Sequence, residues 1–223
     1  RKTSDLLNNI TTPMGNNFSN TVISNVGNMK NMGVEFNLNF IPIEKQDMRW
    51  TINVNGTYQK TEITKLTNDD STYLGVQTGA NMGGTGGYTS LHRVGYAPYT
   101  YYLYQQAYDE NGKAIQNVLV DRDGDGSITE ADRYVTGKSI TPKFFFGLSS
   151  QFTYKKWDFG FNAHGSFGGY ALNRIAMNNS SAFSDDYTKG YINNLSTNVL
   201  KTGWTRAISN EQKYSDMFLE NAS

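Results

Sequence analysis

The sequence contains no cysteine among its 223 residues and only 4 prolines and 2 histidines. Without cysteine it can form neither disulfides nor a cysteine metal site. Basic and acidic residues number 20 each, so the excess of positive charge that nucleic-acid binding requires is absent. No run of about 18 apolar residues is present, which excludes a membrane-spanning helix. Residues 1–7 show no signal-peptide pattern, so either a signal was removed or the chain begins within a larger protein.

Aromatic residues and glycine are abundant instead. The chain has 15 Tyr, 12 Phe and 22 Gly, and its mean hydropathy is −0.58. Aromatic side chains fit the pleated, half-buried surface of a sheet, and Gly/Asn/Ser/Thr stretches between such segments are typical of loops. The composition therefore predicts an all-β protein.

Four segments alternate apolar and polar residues with a period of two, which is the pattern of a strand with two different environments. In the first segment, Val34, Phe36, Leu38 and Phe40 alternate with polar residues. The four segments are 33–41, 50–60, 144–154 and 157–167. Each has roughly 9–12 residues, the length that a tilted strand needs to cross a bilayer.

A soluble β-sandwich would also alternate in this way. Two features favour a transmembrane barrel. Short segments, 42–48 and 155–156, join the strands within each pair, whereas the long segment 61–142 separates the pairs. Aromatic residues lie at the strand ends near the short connections, where an interfacial girdle would be: Phe40, Trp50, Tyr154 and Trp157. Four strands cannot close a barrel in lipid, so the sequence predicts a fragment of a large antiparallel barrel with long extracellular loops.

The segment 121–132 fits the spacing of a calcium-binding loop. We expect Asp121, Asp123 and Asp125 to supply carboxylates, Ser127 its backbone carbonyl, and Asp132 the closing carboxylate. Gly126 permits the sharp turn, and Thr129 is a further ligand either directly or through water.

Two departures from the template matter. Position 12 is Asp rather than Glu, a shorter arm, and the preceding segment 117–120 has the pattern of a strand rather than a helix. The alternative is a solvated acidic turn held by Asx-type hydrogen bonds. Because three converging carboxylates without a cation would repel one another, we favour a structural calcium ion that stiffens the loop.

Other features carry less chemistry. No nucleophile–base arrangement stands out, so we expect no enzymatic activity. The glycine run 83–87 lacks the Lys-Ser/Thr of a phosphate-binding loop and is predicted to be a flexible loop. A tyrosine cluster could stack on sugar rings or peptide side chains, or pack within the loop: Tyr96, Tyr99, Tyr101, Tyr102 and Tyr104.

Several ordered blocks resemble one family. Residues 25–35 are similar to the N-x-G-x-x-x-N-x-G-x-E segment of SusC/RagA-type TonB-dependent transporters of Bacteroidetes. The acidic loop, then Asp132-Arg133, Gly137 and Pro142-Lys143-Phe144 with the following G-x-x-x-x-F-x-Y-K, resemble the late barrel region of that family. Residues 1–7 fit the strand that precedes these blocks.

The resemblance implies a function in the bacterial outer membrane. Such transporters have a 22-stranded barrel, a plug that contacts TonB, and a SusD/RagB-like surface lipoprotein as a lid. They import oligosaccharides or peptides with energy delivered through TonB, ExbB and ExbD. On this basis residues 1–223 are a barrel fragment with no plug, whose loop 61–142 lies outside the cell. The alternative is a secreted, β-rich, calcium-stabilised glycan-binding module. The sequence does not identify the substrate.

Overall fold

A computed structural model describes residues 1–11, 21–67, 74–82, 87–181 and 197–223. Its strands are β1 (Lys2–Thr11), β2 (Thr21–Lys45), β3 (Met48–Lys65), β4 (Val76–Asn81), β5 (Tyr88–His92), β6 (Thr100–Leu103), β7 (Gln106–Tyr108), β8 (Ala114–Leu119), β9 (Tyr134–Ser139), β10 (Phe144–Tyr154), β11 (Trp157–Phe167), β12 (Tyr170–Leu172) and β13 (Leu219–Asn221). Its helices are α1 (Arg174–Asn178), α2 (Thr197–Thr202) and α3 (Asn210–Lys213), with 3-10 turns at Glu130–Asp132 and Asp216–Phe218.

Five long strands form one antiparallel sheet in the order β1-β2-β3-β10-β11, which we call the long sheet. Two-residue turns join β2 to β3 at Gln46–Asp47 and β10 to β11 at Lys155–Lys156. The two turns are neighbours, because the backbone N–H of Lys155 donates to the carbonyl of Asp47 at 2.8 Å. Both short turns therefore lie at the same end of the sheet.

The strands extend beyond the alternating segments. The first predicted strand, 33–41, is the middle of the 25-residue β2, and the second, 50–60, lies within the 18-residue β3. The connection predicted over 42–48 is mostly strand, because β2 continues through Pro42. The pairing with β3 shifts register between Phe40 and Ile43, and such an irregularity tolerates a proline that has no N–H to donate.

The remaining described residues form smaller sheets that surround a buried core; we call the described residues within 66–143 and 168–223 the loop module. It contains a four-stranded sheet in the order β4-β5-β6-β9 and the pairs β7-β8 and β12-β13. Its core consists of these buried residues: Met82, Tyr101, Leu103, Tyr104, Leu119, Ala176, Met177, Trp204, Tyr214, Phe218 and Leu219. The long connection between β3 and β10 is thus folded in its described parts, while residues 83–86 of the glycine run lie outside the described residues.

The all-β fold class is confirmed. The described helices have 4 to 6 residues each, and every large sheet is antiparallel. Within the described ranges no helix has the length and apolar character needed to span a membrane.

Candidate functional site

One face of the long sheet is apolar across four strands. The pairing register places apolar residues of β2, β3, β10 and β11 side by side in rows. The rows are Val34–Tyr58–Phe144–Phe167, Phe36–Gly56–Phe146–Gly165, Leu38–Val54–Leu148–Ala163, Phe40–Ile52–Ser150–Phe161 and Ile43–Trp50–Phe152–Phe159. A period-two pattern that stays in phase over four strands gives this sheet one continuous apolar surface.

Most side chains that β2 and β11 place on this face are exposed, and most of those from β3 and β10 are half-buried between them. Trp157 is 78% exposed and Phe159 is 68% exposed. Proteins that are soluble as monomers rarely present a large contiguous apolar patch to water. Two polar groups of the face pair with each other: the indole N–H of Trp50 donates to the hydroxyl of Ser150 at 3.0 Å. The face thus has the chemistry of a surface made for an apolar environment.

Glycines on this face make room for aromatic rings. A Cβ at Gly56 would overlap the ring of Phe36 on the adjacent strand. A Cβ at Gly165 would lie 3.7 Å from the ring of Phe146, against which the glycine packs. In the row Phe36–Gly56–Phe146–Gly165, aromatic rings and glycines therefore alternate. Each ring can lie over the backbone of a neighbouring glycine instead of pointing straight out from the sheet.

The opposite face of the long sheet is polar. Its central rows contain amides, hydroxyls and one imidazole: Asn37–Asn55–Gly147–His164 and Asn39–Asn53–Ser149–Asn162. The side-chain amide of Asn39 donates to Asn53 across the strands. His164 is exposed on this face, as its position in the alternation predicts. Such a surface requires water.

Charged and aromatic groups gather at the turn end of the sheet. Arg49 lies 3.8 Å from Glu44, and the hydroxyl of Thr153 donates to Asp158 at 2.7 Å. On the other face Tyr154 pairs with Trp157, and the ammonium of Lys155 lies 5.5 Å from the Tyr154 ring centroid. Aromatic rings with adjacent cations at a strand end are typical of a membrane–water interface.

In the acidic loop the structure brings three of the predicted ligands together. Carboxylate oxygens of Asp121, Asp123 and Asp132 all lie within 4.8 Å of one another. Asp121 accepts from the backbone N–H groups of Gly124 and Gly126 at 2.6 and 2.8 Å, and both glycines have a left-handed φ. Asp125 lies outside this group of three, and its carboxylate accepts from the N–H of Ser127 at 2.7 Å.

The three carboxylates differ in their surroundings. Asp132 is buried and accepts from the N–H groups of Thr129 and Arg122 at 2.8 and 2.6 Å, and these bonds lower its pKa. A hydrogen bond from the backbone N–H of Asp125 lowers the pKa of Asp123. Desolvation and the negative charges of Asp125, Asp132 and Asp121 have the opposite effect and are larger together, so the pKa of Asp123 is raised overall. A carboxylate whose pKa is raised by neighbouring anions fits a site for a hard divalent cation with oxygen ligands.

Arginines on both sides of the acidic loop anchor it to the rest of the loop module. The buried guanidinium of Arg133 donates to the carbonyl of Tyr102 at 2.8 Å and lies 4.1 Å from the centroid of that ring. The guanidinium of Arg122 lies 4.9 Å from the Tyr134 ring centroid, and the Tyr134 hydroxyl donates to Asp216 at 2.6 Å. The acidic loop is therefore connected through Tyr134 to the C-terminal segment.

The tyrosine cluster divides between the two alternatives. Tyr101, Tyr102 and Tyr104 are buried in the loop module, so they serve packing. Tyr99 remains 41% exposed and packs edge-on against His92, with ring centroids 4.7 Å apart.

Sequence reasoning missed a buried amide pair that holds the module together. The side-chain amide of Gln212 donates to Gln106 at 3.0 Å and to the carbonyl of Ile115 at 2.9 Å, and its oxygen accepts from the N–H of Asn117 at 2.7 Å. The two glutamines are 106 positions apart, and no local pattern links them.

Comparison with known proteins finds relatives along the whole chain, although no protein-family model matches it. TonB-dependent receptor SusC of Bacteroides thetaiotaomicron is 36% identical over 225 aligned positions, covering 100% of this chain and 22% of the receptor. TonB-dependent receptor P3 of Formosa agariphila is 27% identical over 215 positions, covering 90% of this chain and 21% of that receptor. The chain spans about a fifth of the length of these relatives.

Solved structures share the fold. A chain of the RagAB peptide transporter matches 99% of this chain with a TM-score of 0.62 and 20% identity, over 24% of its own length. The RagAB peptide importer in its open-open state matches with a TM-score of 0.65, also at 20% identity, 99% coverage of this chain and 24% of its own. The relatives are receptors and a transporter rather than enzymes, as the sequence predicts.

Proposed function

Over its whole length this chain belongs to the SusC/RagA-type family of TonB-dependent receptors, and on that premise we propose that it forms wall strands and extracellular loops of an outer-membrane importer. The cargo would be an oligosaccharide or a peptide. The observation that carries the proposal is the continuous apolar face of β2, β3, β10 and β11, backed by a polar face. In a barrel wall the first face contacts lipid and the second lines a hydrated lumen.

The two ends of the long sheet suggest its orientation. Two-residue turns occur at one end, and the folded loop module follows from the other. Outer-membrane barrels have short periplasmic turns and long extracellular loops, so the loop module would face the outside of the cell. We propose a SusD/RagB-like surface lipoprotein as its partner. This proposal is supported by the similar RagAB peptide importer, whose name combines two components.

Charge placed on either face tests the wall assignment. Phe161 and Asn162 are consecutive residues of β11 that point to opposite faces. Phe161→Arg would cost about 2–4 kcal/mol of stability in a bilayer if it faces lipid near the midplane, whereas Asn162→Arg would cost little in a hydrated lumen. We expect only Phe161→Arg to lower the yield of folded receptor, measured by heat-modifiable gel mobility of outer membranes. Equal losses from both variants would contradict a lipid-facing and a lumen-facing side.

Energised uptake tests the import function itself. The receptor that carries this segment would be expressed with its neighbouring lipoprotein in a strain that lacks its own copy. We expect uptake of labelled oligosaccharide or peptide that stops when TonB is deleted. Binding to the cells without TonB-dependent uptake would instead favour a secreted or surface binding module.

We also propose that the acidic loop binds a structural calcium ion. Asp121, Asp123 and Asp132 would hold it with their carboxylates and Ser127 with its backbone carbonyl, while Asp125 would need to turn away from the N–H of Ser127. Bound calcium would neutralise the mutual repulsion of the carboxylates and fix the segment between β8 and β9. The absence of a long helix on either side of the loop, among the described residues, supports a structural role rather than a switch.

Calorimetric titration of the receptor with calcium tests this site. Asp123→Asn removes one of the converging carboxylates and should weaken binding at least tenfold. The matched control is Asp109→Asn, since Asp109 also caps backbone N–H groups, of Asn111 and Lys113, but belongs to no converging group in the described chain. No heat at millimolar calcium, or equal weakening by both variants, would favour the solvated acidic turn.

A further inference from the structure

On the side of the loop module, the apolar face of the long sheet ends in basic residues. Its last apolar row begins at Val34, and the ladder between β2 and β3 is regular from there to Lys30. Lys30 lies four positions before Val34 in β2, so alternation places it on the apolar face. Lys30 pairs with Lys2 of β1 and with Glu62 of β3, and paired residues share a face. The basic residues therefore continue the face on which the apolar rows lie.

A groove of about 350 Å³ lies among these basic residues. The register of β1 with β2 shifts between Thr3 and Leu6. In the ladder of β3 with β2, Thr64 is an extra residue that has no directly opposite residue. Such irregularities bend a strand and disrupt the ladder locally, which makes room for the groove. The groove is lined by Lys2, Thr3, Ser4, Asn28, Met29, Lys30 and Thr64.

The groove carries positive charge that its own lining does not neutralise. Its lining includes two lysines, three hydroxyls and one amide, and no acidic residue. Among the described residues, Lys2 and Lys30 belong to no salt bridge, whereas the ammonium of Lys60 lies 3.5 Å from the carboxylate of Glu62. Asp5, the acid next to this segment of β1, lies outside the lining. Ammonium groups beside hydroxyl and amide donors suit an anion with several oxygens.

The position of the groove matches the depth of lipid headgroups in a barrel wall. From Phe144 to Tyr154 the strand rises about 34 Å, or about 26 Å along the membrane normal at a tilt of about 40°, which agrees with an apolar band about 25 Å tall. By the same rule Lys30 lies about 10 Å beyond the row of Val34. Its flexible stem lets the ammonium reach the headgroup layer next to the hydrocarbon.

We propose that this groove binds the phosphate of a lipid in the outer leaflet, whose acyl chains cover the apolar rows below it. The inference rests on the proposed wall function, which puts the apolar face in lipid and the loop module outside the cell. A phosphate-bearing lipid matches both features, because its chains need apolar surface and its phosphate oxygens accept from ammonium, hydroxyl and amide groups. A soluble anion would use the groove alone and would gain nothing from the adjoining apolar rows.

Titration of the purified receptor in a neutral detergent tests this site without TonB or uptake. The probes are monophosphoryl lipid A and the same lipid without its phosphate, and native mass spectrometry counts the bound molecules. Each lysine near an anionic lipid should contribute about fivefold, so the phosphorylated probe should bind roughly 25-fold more tightly. Equal binding of the two forms, or binding of neither, would overturn the assignment. Displacement of the lipid by millimolar inorganic phosphate would assign the groove to a soluble anion and would also overturn it.

Variants show whether the groove itself is responsible. Lys2→Gln and Lys30→Gln should each weaken binding of the phosphorylated probe about fivefold, and Lys30→Arg should retain it. Glu62→Gln removes a negative charge and releases Lys60, so it should tighten binding. The matched control is Lys45→Gln, since Lys45 is an exposed lysine at the turn end of the same sheet and should change nothing. A loss at Lys45 as large as at Lys30 would show only general attraction between lysines and the lipid, and would contradict the site.

The result can be separated from the wall assignment on which it rests. Heat-modifiable gel mobility first confirms that each lysine variant is folded. Equal losses from Phe161→Arg and Asn162→Arg would remove the wall assignment, whichever lipid the receptor binds. If those two variants differ as expected while binding of the phosphorylated probe ignores Lys2 and Lys30, the wall assignment stands and only the lipid site is wrong.

Discussion

The long sheet and the loop module use the same residue types in opposite ways. In the module, Leu103 and Met82 are shielded from solvent by other parts of the chain, with Leu103 0% exposed. In the long sheet, Phe159 and Trp157 project from the apolar face without cover. Polar groups follow the same division, since the amide of Gln212 is buried and paired while that of Gln151 is exposed.

The difference shows that the two regions are stabilised against different surroundings. The module buries its apolar side chains internally, so the hydrophobic effect in water can hold it together. The long sheet has backbone ladders between its strands, but its apolar face is not covered by other described parts of the chain. Under the proposed function, lipid would cover this face and further strands would pair with the edges of the sheet, as a barrel wall requires.

Removing an internal side chain should separate the regions most clearly. Leu103→Ala creates a cavity in the module core and should cost about 2–5 kcal/mol of unfolding free energy. Leu200→Ala is the control, because Leu200 is 86% exposed on α2 and its loss should change stability by less than about 0.5 kcal/mol. The measurement is hydrogen exchange of the receptor, in which amides of β6 and β9 should lose protection. Equal loss of protection in β11 would mean that the two regions unfold as one unit.

A smaller effect is expected from buried and exposed amides. Gln212→Met keeps the size of the side chain but leaves the N–H of Asn117 and the oxygen of Gln106 without their partner, at a cost of about 1–3 kcal/mol. Gln151→Met on the polar face of the long sheet is the matched control and should cost less than about 0.5 kcal/mol. Denaturant unfolding followed by tryptophan fluorescence would measure both, with Trp204 reporting on the module and Trp50 and Trp157 on the long sheet. A cost at Gln151 as large as at Gln212 would show that the polar face is not hydrated.

The alternation of the strands made the long sheet predictable. Every residue pair from Phe144–Phe167 to Tyr154–Trp157 lies in the register that the two-residue turn at Lys155–Lys156 dictates. The pairing of β3 with β10, which have 78 residues between them, was not predicted, because period-two patterns do not identify which strands are neighbours.

The loop module was predicted far less completely. Its order depends on contacts between distant residues such as Gln106 with Gln212 and Tyr134 with Asp216, which carry no periodic signal. In the acidic loop, the spacing anticipated that Asp121, Asp123 and Asp132 would converge, because side-chain positions in a short loop are set by local turns. Spacing did not anticipate that Asp125 would turn to cap Ser127, a bond that competes directly with ligation.

The smallest effect is expected from acid, and it should separate the two histidines of the chain. Burial lowers the pKa of His92 below its ordinary 6.5, so folding favours its neutral form, and this contribution is present above that value and lost as the pH falls below it. The receptor should therefore unfold at a lower temperature at about pH 5.5 than at about pH 7.5, and His92→Leu should reduce that difference. The control is His164→Leu, since His164 is exposed on the polar face of the long sheet rather than buried in the loop module. Thermal scans by circular dichroism at both pH values would measure the difference. If His164→Leu removed this difference in unfolding temperature and His92→Leu left it intact, the acid sensitivity would belong to the long sheet. The polar face of the long sheet would then not be a hydrated surface, and the contrast with the loop module would fail.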